Sequence, residues 1–427
     1  MNERMQKLCD FLDNAKSVYH STEQLKMRLE GEGYQYLSES TAWDLKPGGK
    51  YYMTRSGAAL VAFRIPEGKP VGFMISAGHS DRPTFKIKEN PVLSGKYIRL
   101  GVEPYGGMIM STWLDRPLSV AGRVLVEQDG KIEMKLLDID RDLLVIPNVA
   151  IHMNRKVNEG RSWNPAVDMI PLLGTAGDED KLEKLLEETA GGKIVGHDLY
   201  LYVRQKASVW GLDEEYLSAP AIDDLTSIWC SMEGFLSAEP SRSVPLFCTF
   251  DSEEVGSESM QGAGSNLLEL VMLRICRAMH WEADMLLSQS FMLSADNAHA
   301  IHPNHPEYAD PNNAPVVNGG VVIKFNANQK YTTDGVSAAV FRGICQKAGA
   351  ACQTYCNRAD IPGDSTLGHI SMTHVSIHSV DIGLPQLAMH SCYETAGVRD
   401  VESMLKVMTC FYGSSFCSDR DGSYAII

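Results

Sequence analysis

Strand-length runs that are apolar on both alternations recur along this chain, separated by stretches with helical spacing. The run at 71–77 (VGFMISA) is one of them. A strand apolar on both sides needs cover on both faces, as in a sheet held between layers of helices. From residue 198 the alternation becomes regular. Strand-like 199–203 (LYLYV) leads to a helical stretch at 223–238, then to strand 243–250 (SVPLFCTF), helix 264–279 and a strand within 283–294. Strand 321–326 (VVIKFN), a helix around 335–349, the short run 385–390 (PQLAMH) and a last helix near 401–413 follow. This order predicts an α/β fold, with a mostly parallel sheet covered by helices on both faces. At the amino end Met5, Leu8, Leu12, Ala15 and Val18 fall on one helical face. Ser21, with Gln24 three residues later, has the capping-box pattern that starts a second helix, ending near Gly31 and Gly33.

Between residues 89 and 192 the texture changes. Short strand-like stretches dominate, including 123–137 (RVLVEQDGKIEMKLL), where Asp129-Gly130 marks a hairpin turn. An acidic helix at 178–192 closes the stretch on Gly191 and Gly192, which suit its carboxyl cap. The chain therefore divides into an α/β domain of residues 1–88 and 193–427 and an inserted, mostly β domain of residues 89–192.

Charge and cysteine usage exclude several functions. The formal net charge of −15 disfavours binding to nucleic-acid phosphates, which needs clustered Lys and Arg. No apolar run approaches the roughly 18–20 residues that span a bilayer, and the charged amino terminus lacks the core of a signal peptide. A cytoplasmic protein without membrane contact is expected. The ten cysteines contain no Cys-x-x-Cys pair, so reduced thiols are expected rather than a disulfide frame or zinc knuckle.

In an open α/β sheet, ligands gather beyond the carboxyl ends of the strands. The residues there are His79 and Asp81 after 71–77, Glu253 and Glu254 after 243–250, Asp296 and His299 after the strand within 283–294, and His390 after 385–389. Asp223 and Asp224 precede a helix. So many carboxylates at one sheet edge require neutralising cations. Two divalent ions roughly 3.5–4 Å apart could share a bridging carboxylate and hold a water between them. Imidazole and carboxylate suit Zn²⁺, with Co²⁺ or Mn²⁺ possible on the same set. Of the adjacent pair Glu253 and Glu254, one side chain can bind metal while the other faces the water, because neighbours at a strand end point in different directions. Asp81, two residues beyond His79 along an extended chain, can orient the imidazole.

Six segments in order, 77–83 (AGHSDRP), 219–225 (APAIDDL), 250–257 (FDSEEVGS), 294–304 (SADNAHAIHPN), 319–334 (GGVVIKFNANQKYTTD) and 385–394 (PQLAMHSCYE), resemble the M18 metallopeptidases, the aspartyl aminopeptidase family. The resemblance implies that Asp223 bridges two metals, that His79 and Asp296 complete one ion's ligands, and that Glu254 and His390 complete the other's. It implies Glu253 as general base acting on a metal-bridged hydroxide, and Asp81 as the residue orienting the metal shell. His299, Lys324 and Tyr331 match substrate-contacting positions, with Lys324 the cation that would recognise an acidic side chain. His152 in the inserted domain matches a histidine that reaches a neighbouring subunit's site. The family further implies peptide substrates with a free amino terminus, an inserted domain that dimerises, and dimers assembled into a dodecamer. Arg82, Ala221 and Asp224 depart from the family pattern, which leaves pocket charge and substrate preference open.

His302 and His305 flank prolines and are read as loop structure; His369, His374 and His378 straddle a helix-to-strand change and are not expected to bind metal. Gly262-x-Gly264 lacks the strand and third glycine of a dinucleotide fingerprint, and no Gly-x-Ser-x-Gly elbow is present. The expected activity is removal of an amino-terminal residue, preferably Asp or Glu. The alternatives are a neutral or broad aminopeptidase of the same chemistry and a non-catalytic shell-forming assembly protein.

Overall fold

The computed structural model describes residues 2–363 and 365–427. Its central element is a nine-stranded sheet with the spatial order Gln35–Tyr36, Lys50–Arg55, Ala59–Arg64, Val244–Phe250, Phe73–His79, Phe291–Ala295, His378–Gly383, Val321–Phe325 and Cys352–Cys356. Five of its pairings are parallel and three antiparallel.

Strand alternation sends side chains to two separate cores. Leu60, Ala62, Met74, Phe247, Phe291 and Leu293 face the helices Glu3–Asn14, Ile222–Ser237 and Val398–Tyr412. Val61, Phe63, Ile75, Leu246, Cys248 and Met292 face Leu267–Met279 on the other side. The run at 71–77 is apolar throughout because both of its faces are covered.

A six-stranded, antiparallel sheet forms the second layer system, in the order Lys131–Asp138, Leu118–Gln128, Ile194–Val203, Thr84–Leu93, Tyr97–Tyr105 and Leu172–Thr175. It has its own core of Phe85, Leu100, Trp113, Val120, Leu137 and Leu201. The hairpin at Asp129 and Gly130 is present, with φ of 53° and 74°, and Gly191 closes the helix Lys181–Ala190 in a left-handed conformation. One strand differs from expectation. The stretch 199–203 belongs to Ile194–Val203, paired with Leu118–Gln128 in this second sheet rather than in the parallel one. Its apolar content fits either sheet, and only long-range pairing decides between them. The second sheet thus uses strands from Thr84 to Val203.

The second helix starts earlier than its capping pattern indicated. It runs Val18–Gly31 with Ser17 as N-cap, and the Ser21 hydroxyl instead donates to Ser17 O at 3.1 Å inside the helix. Ser17 ends the short connection that separates this helix from Glu3–Asn14, where the first backbone N–H groups of the new helix need an acceptor. A five-stranded sheet, Ser208–Trp210, Tyr216–Ala219, Glu394–Gly397, Pro385–Leu387 and Ala298–His299, carries the segment leading to His390. The ten cysteines are free thiols.

Candidate metal centre

Three adjacent parallel strands, Val244–Phe250, Phe73–His79 and Phe291–Ala295, end at the same sheet edge. His79 is the last residue of the middle strand, Asp296 follows the third, and Glu253 and Glu254 lie just beyond the first. Asp223 enters from the start of the helix Ile222–Ser237 and His390 from the loop after Pro385–Leu387. Sequence neighbours of strand ends thus become spatial neighbours.

The carboxylate of Asp223 lies between the two histidines, with Oδ1 3.8 Å from His79 Nε2 and Oδ2 3.6 Å from His390 Nε2. His79 Nε2 is also 3.8 Å from Asp296 Oδ1, and His390 Nε2 is 3.4 Å from Glu254 Oε2. Two overlapping triads have ligand atoms all within 4.8 Å of one another: His79 with Asp223 and Glu254, and Asp223 with Asp224 and Asp296. Asp223 is common to both. The buried oxygens Asp223 Oδ1, Asp224 Oδ1 and Glu254 Oε1 have no hydrogen-bond partner among the described residues. Carboxylate oxygens buried without donors are costly, and a divalent cation supplies the missing partner. The donor set of imidazole nitrogens and carboxylate oxygens suits zinc.

The charge distribution tells the same story. Burial, aided by Asp296, Asp81 and Asp223 against the pull of His79, pushes Glu253 up to about 8. Burial also holds Glu254 and Asp224 well above the carboxylate range, with Asp223 adding to both. The two histidines move the other way from buried imidazoles. Burial opposes their charge, but hydrogen bonds to Asp296 and Asp81 raise His79, and Asp223 with Glu254 raises His390 to about 10. Raised carboxylates and raised histidines in one place mark an excess of buried negative charge, which a cation would offset.

Asp81 organises this edge from behind. Its Oδ1 accepts the Glu253 backbone N–H at 3.1 Å, and its Oδ2 accepts the Glu254 N–H at 3.2 Å and the Tyr105 hydroxyl at 2.8 Å. Its Oδ1 also lies 3.5 Å from His79 Nδ1. Glu253 and Glu254 do not continue the strand; they form a 3-10 turn, Glu253–Val255, flanked by Ser252 and Gly256 at φ of 65° and 100°. The turn separates the two side chains, Glu254 toward His390 and Glu253 into a cavity.

That cavity, about 170 Å³, is lined by Glu253, Asp296, His299, Lys324 and Tyr331 together with His390. Lys324 is buried, and its ammonium donates to Asp296 Oδ2 at 3.0 Å and Asn297 O at 3.2 Å. It also lies 5.1 Å from the centre of the Tyr331 ring. Asp296 is held below the usual carboxylate range because Lys324 and His79 outweigh its burial. His299 is lowered by burial and by Lys324, which favours a neutral ring.

His152 is not in this cavity; it is exposed on a turn between Ile151 and Met153. Arg82 also lies outside it, donating to Ala15 O. His302 and His305 are in the loop before the Pro306–Tyr308 turn, and His369 and His378 belong to the helix Leu367–Ser371 and the strand His378–Gly383. None of these is in a metal-competent cluster among the described residues.

Glu394 is a residue that strand-end reasoning passed over. It accepts the Asp223 N–H at 2.9 Å and the His390 N–H at 2.7 Å, and so fixes the spacing of two separate segments. Its signals in the sequence were its place four residues after His390 and at the end of the segment 385–394.

The model for the aminopeptidase I zinc metalloproteases (M18) matches residues 11–412. A probable M18 family aminopeptidase 2 of Clostridium novyi is 42% identical over 422 residues, covering 95% of this chain and 98% of that protein. The fold is similar to Ape4 in the cryo-EM complex of Ape4 and Nbr1, with a TM-score of 0.92, 34% identity, and coverage of 96% of this chain and 85% of that one. The dodecameric mApe1 of S. cerevisiae gives a TM-score of 0.85 at 26% identity, with 96% of each chain covered. Together with the geometry of the sheet edge, these similarities establish that the chain belongs to the M18 family of metal-dependent aminopeptidases.

Proposed function

We propose that this aminopeptidase removes an amino-terminal Asp or Glu from peptides at a dinuclear centre. His79, Asp223 and Asp296 would hold one divalent ion, and Asp223, Glu254 and His390 the other. The observation that carries this reading is the Asp223 carboxylate, whose two oxygens face two different histidines. Zn²⁺ suits the donors, and Co²⁺ or Mn²⁺ fits the same set. Bound there, the ions supply Lewis-acid polarisation of the scissile carbonyl and an acidified water.

The chain's own residues do the rest. Glu253 faces the cavity without a place among the ligands, so its carboxylate serves as general base, taking the proton from water and passing it to the departing amine. Asp81 holds Glu253 and Glu254 in register through their backbone N–H groups. The cavity of about 170 Å³ is smaller than the roughly 300–1,000 Å³ of pockets for larger ligands. That size suits one residue at a chain end. His299 and Tyr331 line its wall, and Lys324 supplies the cation for an acidic side chain.

One observation favours a second reading, a neutral or broad aminopeptidase. Lys324 already donates to Asp296 and Asn297 O, which lowers its call on a substrate carboxylate. Rates on Asp-, Glu- and Leu-terminated peptides decide between the two. Acidic preference requires the Asp/Leu ratio of kcat/KM to exceed one and to fall in Lys324→Ala; equal ratios in both proteins support the broad enzyme.

Assembly completes the proposal. Val149, Ile151 and Met153 are exposed around His152 in the loop between the strands Lys131–Asp138 and Leu172–Thr175, an apolar patch suited to burial against another subunit. Dimers formed through the inserted domain would place His152 at a neighbour's site, and a dodecamer like that of mApe1 would follow. A shell protein without activity has no use for Glu253 in the cavity wall. No helix among the described residues is long and apolar enough to cross a membrane.

A further inference from the structure

The second sheet reaches into the metal centre. Residues 105–112 leave the end of its strand Tyr97–Tyr105 and return to it through the turn Met110–Trp113. Trp113 is buried in that sheet's core, edge-on to Phe85 at 5.3 Å. Both ends of the segment are therefore anchored in the second sheet, while its middle touches the first domain. The Tyr105 hydroxyl donates to Asp81 Oδ2 at 2.8 Å. Gly106, at φ of 74°, passes so close to Glu254 that an added Cβ would lie 3.0 Å from the Glu254 Cβ and 3.3 Å from its carbonyl oxygen. The Ile109 N–H donates to His390 O at 3.0 Å. Thr112 Oγ1 accepts the Cys392 N–H at 3.0 Å.

These contacts fall on Glu254 and on the loop that carries His390, the pair assigned above to one ion. His390 and Ala388 both have positive φ, 65° and 55°. A loop in that conformation keeps it only when its surroundings hold it. We propose that residues 105–112 are a positioning strap, which sets Glu254 against His390 and so makes the geometry of this half of the centre depend on the second sheet. The ligand assignment rests on the dinuclear reading; the strap's hold on the two backbone segments does not.

The test uses Tyr105→Phe/Thr112→Val, which keeps the strand and Trp113, and Gly106→Ala as an independent variant. Hydrogen exchange is measured on the metal-free full-length chain, followed by titration with zinc. Amides of 388–394 and 251–257 are expected to exchange about five- to tenfold faster in the double variant, with those of the helix Leu267–Met279 unchanged. One of two zinc ions should bind about tenfold or more weakly in both variants, as when partners that orient metal ligands are removed. In turnover assays kcat should fall more than KM rises. Wild-type exchange in both segments would overturn the strap. Wild-type chains that bind fewer than two ions would overturn the dinuclear reading and leave the exchange rates to judge the strap alone.

Discussion

Asp223 and His390 approach each other from elements far apart in sequence, a helix start and a loop, and meet with Asp223 Oδ2 3.6 Å from His390 Nε2. The other oxygen of Asp223 faces His79 at 3.8 Å. In the proposed dinuclear centre this carboxylate would serve both cations, and its loss should release both. Removing groups that only orient metal ligands costs roughly 10–100-fold in affinity, so Asp223→Ala should lose at least about a hundredfold. Zinc per chain, measured after dialysis against wild type, checks this.

Glu253 is predicted to matter for turnover and not for metal. Glu253→Gln keeps size and polarity but cannot take a proton. Its kcat should fall by about 10²–10⁴ with zinc content unchanged. Full turnover in the variant would move the base elsewhere.

Asp198 ties the second sheet together, 2.8 Å from both Lys86 Nζ and Arg123 Nε. Burial alone would raise its carboxyl, but those two cations hold it below its ordinary value. A depressed carboxylate contributes stability above its unfolded pKa, near 3.9, and loses it as pH falls through the folded value. Asp198→Asn should therefore be less stable by about 1 kcal/mol at pH 7, with the gap closing below about pH 4. Urea midpoints of both proteins across that range give the answer.

Phe247 tests the sheet on which the site is built. It is fully buried in the strand Val244–Phe250, with Phe235 packed at 6.2 Å between ring centres. Phe247→Ala should cost about 3–5 kcal/mol. Because Phe247 lies on the face packed against Ile222–Ser237 and Val398–Tyr412 and not at the strand's end, the loss should be equal in metal-loaded and metal-free protein, as read by denaturant unfolding.

What could be read before the structure, and what could not, follows from the range of the interactions. The arrival of His79, Asp296, Glu253 and Glu254 at one sheet edge was legible because each follows an apolar run, and a strand's end is a local property. The hairpin at Asp129 and Gly130 and the cap at Gly191 were legible for the same reason. The strand Ile194–Val203 was placed in the wrong sheet because its partner, Leu118–Gln128, lies far back along the chain. Ser21 and Gln24 matched a capping-box pattern, but the N-cap is Ser17, whose hydroxyl accepts the His20 N–H, because that helix starts right after the short connection at Ala15 and Lys16. Asp81 was seen as orienting an imidazole, while its bonds to the N–H groups of both glutamates are tertiary and left no local trace. Glu394 and Tyr105 stayed hidden likewise, as their partners are remote in sequence, the Asp223 backbone N–H for Glu394 and the Asp81 carboxylate for Tyr105.

The most direct test is an anomalous difference map from zinc-loaded crystals. It should contain two peaks roughly 3.5–4 Å apart, one among His79, Asp223 and Asp296, the other among Asp223, Glu254 and His390. A single peak, or peaks away from Asp223, would contradict the account.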